Sequence, residues 1–176
     1  MNPSDSPKKD SIGNKALGII GTLIGLAVGR YSGINLLLPL AATALLWWGG
    51  KKLLKGERLL FLPALSLQGG HLLWMAFGLF YAGQFNDLIL DIVVLIAGLI
   101  WLVSKPSLGP VLLLGIFQAL ALIINASVFL SAELGSTEHK ALLVHIIWRL
   151  LALFYMGQGY LQLRRKRNAE NEPENS

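Results

Sequence analysis

The sequence predicts an all-α membrane protein with six transmembrane helices, arranged as a 3+3 inverted repeat with both termini cytoplasmic. Three observations predict this fold. The chain is 54% hydrophobic and only 14% charged, whereas soluble domains carry roughly 25% charged residues. Its apolar runs approach the ~20 residues that span a bilayer. One stretch also occurs twice, as HLLWMAFGLFYAGQ at 71–84 and HIIWRLLALFYMGQ at 145–158.

The two copies align without a gap, 74 residues apart, and 7 of their 14 positions are identical. Leu, Phe and Gly matches follow easily from the composition of membrane helices, but His, Trp, Tyr and Gln in register do not. The pattern indicates an internal duplication, and convergent membrane composition is the alternative. The chain then divides into a disordered cytoplasmic tail (1–15), a first three-helix half (16–84), a second three-helix half (85–163), and a basic boundary with an acidic disordered tail (164–176).

The first apolar segment, Ala16–Gly29, is short for a span. It is interpreted as a retained helix, and the alternatives are a re-entrant segment or a cleaved signal peptide. Gly21, Gly25 and Gly29 recur every four residues and place a smooth face on one side of such a helix. A face of this kind lets a second helix approach closely, which predicts a homodimer or a membrane partner helix packed there.

Five further spans are expected at about 34–48, 60–82, 88–103, 108–130 and 141–163. Pro39 predicts a kink in the first of these, and Trp47 and Trp48 are expected at interface depth. The basic stretch 51–58 is expected to be a loop or a short interfacial helix.

The charges set the topology. With six spans, 12 Lys and Arg residues fall on one side and only Arg30 and Lys140 on the other, while Arg149 lies within a span. This asymmetry predicts cytoplasmic termini, in a bacterial inner membrane by default because no organelle-targeting signal is present. Three spans per half make the halves enter the membrane in opposite senses, as in several transporter folds.

The repeated stretch places a polar and aromatic face on each of two helices. The substrate-path candidates are His71, Trp74, Tyr81, Gln84, His145, Trp148, Tyr155 and Gln158. One hypothesis is a central site or path lined by these side chains, since polar groups in a membrane turn away from lipid. The other is that they form helix–helix hydrogen bonds that hold the two helices together.

A second polar cluster is expected in the outer half of the membrane, formed by Asp91, Asn125, His145 and Arg149. A charge at the depth of Arg149 costs at least ~2.5–3 kcal/mol unless it is paired or hydrated, so Asp91 is predicted to neutralise it. The cluster is either a substrate or proton site, or a structural ion pair. Gln118 lies on the same helix face as Asn125 and is expected to make interhelical hydrogen bonds.

No cofactor or metal is expected. The chain has no cysteine and only three histidines, too few for a multi-ligand metal site. Haem ligation by His71 and His145 is disfavoured, because an inverted repeat would place them on opposite sides of the midplane. No catalytic motif is present, so an enzyme is not predicted.

The predicted function is a transporter or channel for a small solute or ion. The alternative is a non-catalytic scaffold, assembly factor or subunit of a larger membrane complex. A transporter requires a cavity between the third and sixth spans, whereas a scaffold predicts those spans closed against each other.

Overall fold

The computed structural model describes residues 36–82 and 85–171, and every regular element within them is helical. The elements are α1 (Leu37–Leu53), a 3-10 helix (Gly56–Phe61), α2 (Leu62–Ala82), α3 (Phe85–Ser104), α4 (Leu108–Ser131) and α5 (Thr137–Asn171). The predicted tail 1–15, the segment Ala16–Gly29 and its glycine face lie outside the described residues.

Three helical segments are long and apolar enough to cross a membrane, namely Gly56–Phe77, Leu108–Ser131 and Thr137–Glu170. They indicate a membrane protein, as the sequence predicts. The apolar stretch of α3, Ile89–Ser104, is shorter, and α1 has only 17 residues. The described residues therefore confirm an all-helical membrane architecture, but not the count of six spans or the inverted repeat.

Pro39 was expected to kink a helix, and that expectation is wrong. Because α1 begins at Leu37, the proline lies in its first turn. The first backbone N–H groups of a helix have no partner within the helix, so proline is tolerated there without a kink. At the other end of α1, the basic stretch 51–58 divides between the last turn of the helix and the 3-10 helix, which starts at Gly56 with a φ of +62°.

The last helix extends further than the sequence suggested. The segment 164–176 is predicted to be a basic boundary with a disordered tail, but α5 continues to Asn171 and has 35 residues. At ~1.5 Å per residue it is about 52 Å long, well beyond the ~30 Å of a bilayer core. Its basic C-terminal turns, where Lys166 pairs with Glu170 at 3.6 Å, must therefore project out of the membrane.

Helices α2, α3, α4 and α5 form a ring in which each contacts the next, and α1 packs on the outside of α2. Helices α2 and α5 are antiparallel, because His71 contacts His145 while Phe61, directly before α2, lies next to Gly159 in the second half of α5. The α1–α2 contact is close at Gly70, where an added Cβ would lie 2.8 Å from the carbonyl oxygen of Pro39.

The polarity of this ring is the reverse of that of a soluble bundle. Several large apolar side chains of α4 are exposed, among them Leu112, Ile116 and Ile123, whereas its Gln118 is fully buried. The interior combines apolar residues such as Leu95, Leu114 and Met156 with buried polar groups. An apolar exterior suits lipid contact, so the buried polar groups are the part of the molecule that needs a functional explanation.

Candidate intramembrane polar site

The two repeated histidines meet at the α2–α5 contact. Nε2 of His71 lies 3.3 Å from Nδ1 of His145, and the ring of Trp74 stacks on His145 with the centroids 4.8 Å apart. The two histidines, which were expected to be separated across the midplane, thus lie side by side. Equivalent residues of two antiparallel helices can meet in this way when both face the partner helix.

The second repeated tryptophan fastens the same contact. Nε1 of the buried Trp148 donates a hydrogen bond to the carbonyl oxygen of Leu67, at 3.0 Å. A carbonyl oxygen has two lone pairs, so it can accept this bond as well as one from its own helix. Leu67, Trp148 and Ala152 form a small apolar cluster around the bond. Helices α2 and α5 are thus closed against each other here.

The predicted pair between Arg149 and Asp91 is present. Nη2 of Arg149 lies 3.6 Å from Oδ2 of Asp91, and the arginine is only 5% exposed. Nη1 of the same guanidinium donates to Oε1 of Gln118 at 2.9 Å, and Nε2 of Gln118 donates to Oε1 of Gln68 at 3.3 Å. A continuous polar chain therefore joins all four helices of the ring, running from Gln68 on α2 through Gln118 on α4 and Arg149 on α5 to Asp91 on α3.

The hydrogen-bond directions in this chain follow from the chemistry of arginine. A guanidinium can only donate, so the atom of Gln118 that faces it must be the carbonyl oxygen. The amide nitrogen of Gln118 then points to Gln68, whose own oxygen must accept. This leaves Nε2 of Gln68 and Nε of Arg149 as buried donors without a partner in the described part of the chain. Nδ1 of His71 is also buried without a partner there, and the tautomer of the ring decides whether it donates or accepts.

Gln68 is the residue that sequence reasoning missed. It is fully buried, and it lies one turn before His71 on the same face of α2. The signal was a carboxamide within a long apolar run, spaced three residues from a singled-out histidine. Its counterpart in the repeat is the apolar Leu142, so the alignment of the two copies does not single out Gln68.

The remaining predicted residues divide into three groups. Asn125 is half-buried and makes no side-chain hydrogen bond within the described ranges, so it does not join the Arg149 network. Tyr155 and Gln158 lie further along α5 and line a separate cavity near the start of α2. Gln84 and the side chain of Tyr81 lie outside the described part of the structure.

The site can donate hydrogen bonds to a polar ligand and offers a fixed positive charge beside a carboxylate. The imidazoles of His71 and His145 can each hold a proton. Within residues 36–82 and 85–171, no group of three or more His, Asp or Glu side chains is placed to bind a metal ion.

The chain was compared with known proteins, and no protein-family model, no curated protein and no solved structure matches it.

Proposed function

We propose that this protein is a small membrane carrier for a polar solute or ion, with its binding site at the polar chain around Arg149. The observation that carries this proposal is the burial of a charged guanidinium that is only partly neutralised. Its ion pair with Asp91 measures 3.6 Å, and its Nε has no protein partner in the described residues. Ionisable groups inside membranes are costly, and they mark substrate or proton pathways more often than they serve packing alone.

The chemistry of the site favours a ligand that accepts hydrogen bonds. The unpartnered nitrogens of Gln68 and Arg149 are both donors, and each buried donor without a partner costs ~1–3 kcal/mol. A ligand with acceptor oxygens would relieve that cost at the same time as it binds. Asp91 would compete for the arginine, so its protonation or displacement would favour an anionic ligand.

The α2–α5 contact is closed at a place where a transporter was expected to have a cavity. A carrier can close such a contact in one of its states, whereas a permanently open channel cannot. His71 against His145, and Trp148 against Leu67, seal the two helices beside the network. In a carrier, such a contact belongs to an occluded state, and access alternates as the halves move. The antiparallel arrangement of the two helices with the repeated sequence is what such an inversion requires.

The proposal extends to orientation. Nine basic residues gather at one end of the ring, since Arg167 of α5 bonds both to Glu57 before α2 and to the carbonyl of Pro106 before α4. They are Lys51, Lys52, Lys55, Arg58, Lys105, Arg164, Arg165, Lys166 and Arg167. By the positive-inside rule this end is cytoplasmic, which supports the proposal that both termini lie on that side. A bacterial inner membrane remains the proposed location.

The test is a binding and flux measurement on the full chain. Thermal unfolding in detergent would be followed with a panel of chloride, nitrate, formate, acetate and small amino acids. Compounds that raise the Tm would then be assayed for uptake into liposomes containing the protein. We expect at least one compound to be transported, and we expect Arg149→Gln to reduce that uptake at least tenfold, whereas Lys105→Gln, an exposed control, leaves it unchanged. If no compound raises the Tm and none enters faster than into empty liposomes, the carrier proposal fails.

A scaffold or subunit of a larger membrane complex is the second candidate, and the same sealed contact favours it. If the polar groups only hold α2 to α5, their loss should affect stability and nothing else. Gln68→Leu, which removes a carboxamide of the polar chain that has an unpartnered donor, separates the two candidates. A carrier predicts lost uptake at a nearly unchanged Tm, and a scaffold predicts a lower Tm together with loss of co-purifying membrane partners.

A further inference from the structure

A cavity of about 290 Å³ opens at the basic end of the molecule, away from the Arg149 network. It lies between α1, the 3-10 helix, the first turn of α2 and the C-terminal half of α5. Its polar lining comes from Lys51 on α1 and from Tyr155, Gln158 and Gln162 on α5. The apolar lining includes Leu59 and Leu60 of the 3-10 helix. One cavity therefore combines a cation, carboxamides and an apolar wall.

The cation of this cavity has no carboxylate to neutralise it. Nζ of Lys51 lies 5.2 Å from the centroid of the Trp47 ring, which also lines the cavity, and Lys51 makes no ion pair within the described ranges. Glu57, the acidic residue of the adjoining 3-10 helix, is engaged by Arg167 through two hydrogen bonds, at 3.0 and 2.8 Å. The cavity is thus left positively charged.

The surroundings place this charge at the membrane interface. Trp47 and Trp48 stand on the last turns of α1, and tryptophans of this kind are typical of the headgroup level. Gln162, two residues before the basic turns of α5, lines the same cavity as Trp47. A cavity at that depth is open to the headgroups of the lipids that surround the protein.

We propose that this cavity binds the headgroup of an anionic phospholipid. Lys51 supplies the charge for the phosphate, the carboxamides of Gln158 and Gln162 supply hydrogen bonds, and the apolar wall of Leu59 and Leu60 receives the first part of an acyl chain. Clusters of basic residues next to membrane helices recognise anionic lipid headgroups in this way. This site does not depend on the carrier function, because it shares no residue with the Arg149 network.

The test is a lipid titration of the full chain in detergent, followed by native mass spectrometry. Phosphatidylglycerol is the anionic probe and phosphatidylcholine is the zwitterionic one. Lys51→Gln removes the cation of the cavity, and Lys52→Gln is the matched control. The two residues are adjacent and carry the same charge, but Nζ of Lys52 lies over Trp48, 3.7 Å from the ring centroid, and not in the cavity lining.

We expect tighter binding of phosphatidylglycerol than of phosphatidylcholine. Lys51→Gln should weaken phosphatidylglycerol binding at least tenfold, while Lys52→Gln should weaken it by no more than about fivefold, the effect of one basic residue on general attraction to an anionic surface. Gln162→Leu tests the same site with a second change. It should weaken phosphatidylglycerol binding less than Lys51→Gln, because it removes only one hydrogen-bonding group.

Three outcomes would overturn the proposal. Equal losses from the two lysine variants would show diffuse surface attraction, and equal affinity for the two lipids would show an apolar groove without headgroup recognition. Full displacement of the lipid by millimolar glycerol phosphate would assign the site to a free phosphate compound instead. If the uptake assay on the Arg149 site failed, the results of these lipid-binding measurements would not change. The two proposals are therefore tested independently.

Discussion

Arg149 shows what a single side chain can impose on this fold. Two of its nitrogens are occupied, Nη1 by Gln118 and Nη2 by Asp91, and its Nε is buried without a partner in the described residues. It joins α5 to Gln118 on α4 and to Asp91 on α3, so replacing one of these groups leaves another buried polar group without its partner. The free-energy cost of burying charge in this fold therefore falls mainly on the guanidinium of Arg149.

The first prediction concerns the carboxylate beside it. Asp91→Asn should destabilise the protein by ~1–3 kcal/mol, because it leaves a buried positive charge without its counter-ion. Asp91 itself is about a quarter exposed, which keeps the expected loss below the ~3–5 kcal/mol of a fully buried pair. The measurement is unfolding in mixed micelles.

Two variants accompany this measurement. Adding Arg149→Met to Asp91→Asn should recover most of the loss, because the uncompensated charge is then removed as well. Glu170→Gln breaks an exposed pair on the same helix and should change stability by less than ~0.5 kcal/mol. A double variant that is less stable than Asp91→Asn alone would contradict the assignment of the loss to the arginine charge.

The second prediction at this scale concerns Trp148. Trp148→Phe keeps an aromatic ring but removes the hydrogen bond to Leu67, and the expected loss is ~0.6 kcal/mol, with ~1.7 kcal/mol as the upper bound for such bonds in membranes. Trp101→Phe, at an exposed site, is the matched control and should have no measurable effect. If Trp148→Phe has no larger effect than Trp101→Phe, the hydrogen bond to Leu67 contributes nothing measurable to stability.

At the scale of the helix, the packing of α1 on α2 depends on glycine. Positions 69 and 70 are adjacent in α2 but meet different neighbours. A Cβ at Gly69 would contact the tip of the Leu46 side chain at 2.6 Å, whereas one at Gly70 would lie 2.8 Å from the Pro39 carbonyl oxygen. A side-chain tip can rotate away, but a backbone carbonyl moves only if the helices separate.

The third prediction follows from that difference. Gly70→Ala should cost ~1–3 kcal/mol, the usual range for overpacking. Gly69→Ala should cost less than ~1 kcal/mol, because the higher helix propensity of alanine offsets the displaced leucine. Gly49→Ala, where nothing lies within 4 Å, should be neutral or stabilising. Unfolding of the three variants in one micelle system checks the order, and a reversed order for positions 69 and 70 would refute this account of the α1–α2 contact.

The helices were more predictable than the contacts between them. The expected spans 60–82 and 108–130 agree with α2 and α4 to within two residues, because apolar length alone defines a membrane helix. The Arg149–Asp91 pair followed from the cost of a charge in lipid. Gln68 did not, since a single carboxamide in an apolar run does not reveal which neighbouring helix it faces. Nor could the sequence predict that Tyr155 and Gln158 line a separate cavity. Their place depends on how far α5 continues past the histidine contact, and periodicity within one helix does not give that.

At the scale of the whole molecule, charge and polarity are separated along the helix axes. The basic residues collect at one end, the ion pair and the histidines lie within the ring, and the lipid-facing surface is apolar. Each of the proposals depends on this separation. The carrier needs a buried polar centre reached from both sides, and the lipid site needs a basic interface on one side.

The fourth prediction tests that arrangement directly. A reporter fused before Ala16 and another after Arg167 should both report the cytoplasm, because the basic end of the ring is retained on that side. Matching signals require an even number of membrane crossings between the two points, which keeps a six-span, inverted architecture in agreement with the antiparallel α2 and α5. A reporter inserted at Gly135, in the loop between α4 and α5, is the control and should report the opposite side.

If the first reporter lies outside, or is lost by cleavage near Gly29, the first half has only two full spans. The repeat would then lack its inverted partner, and the closed α2–α5 contact would be the packing of a scaffold.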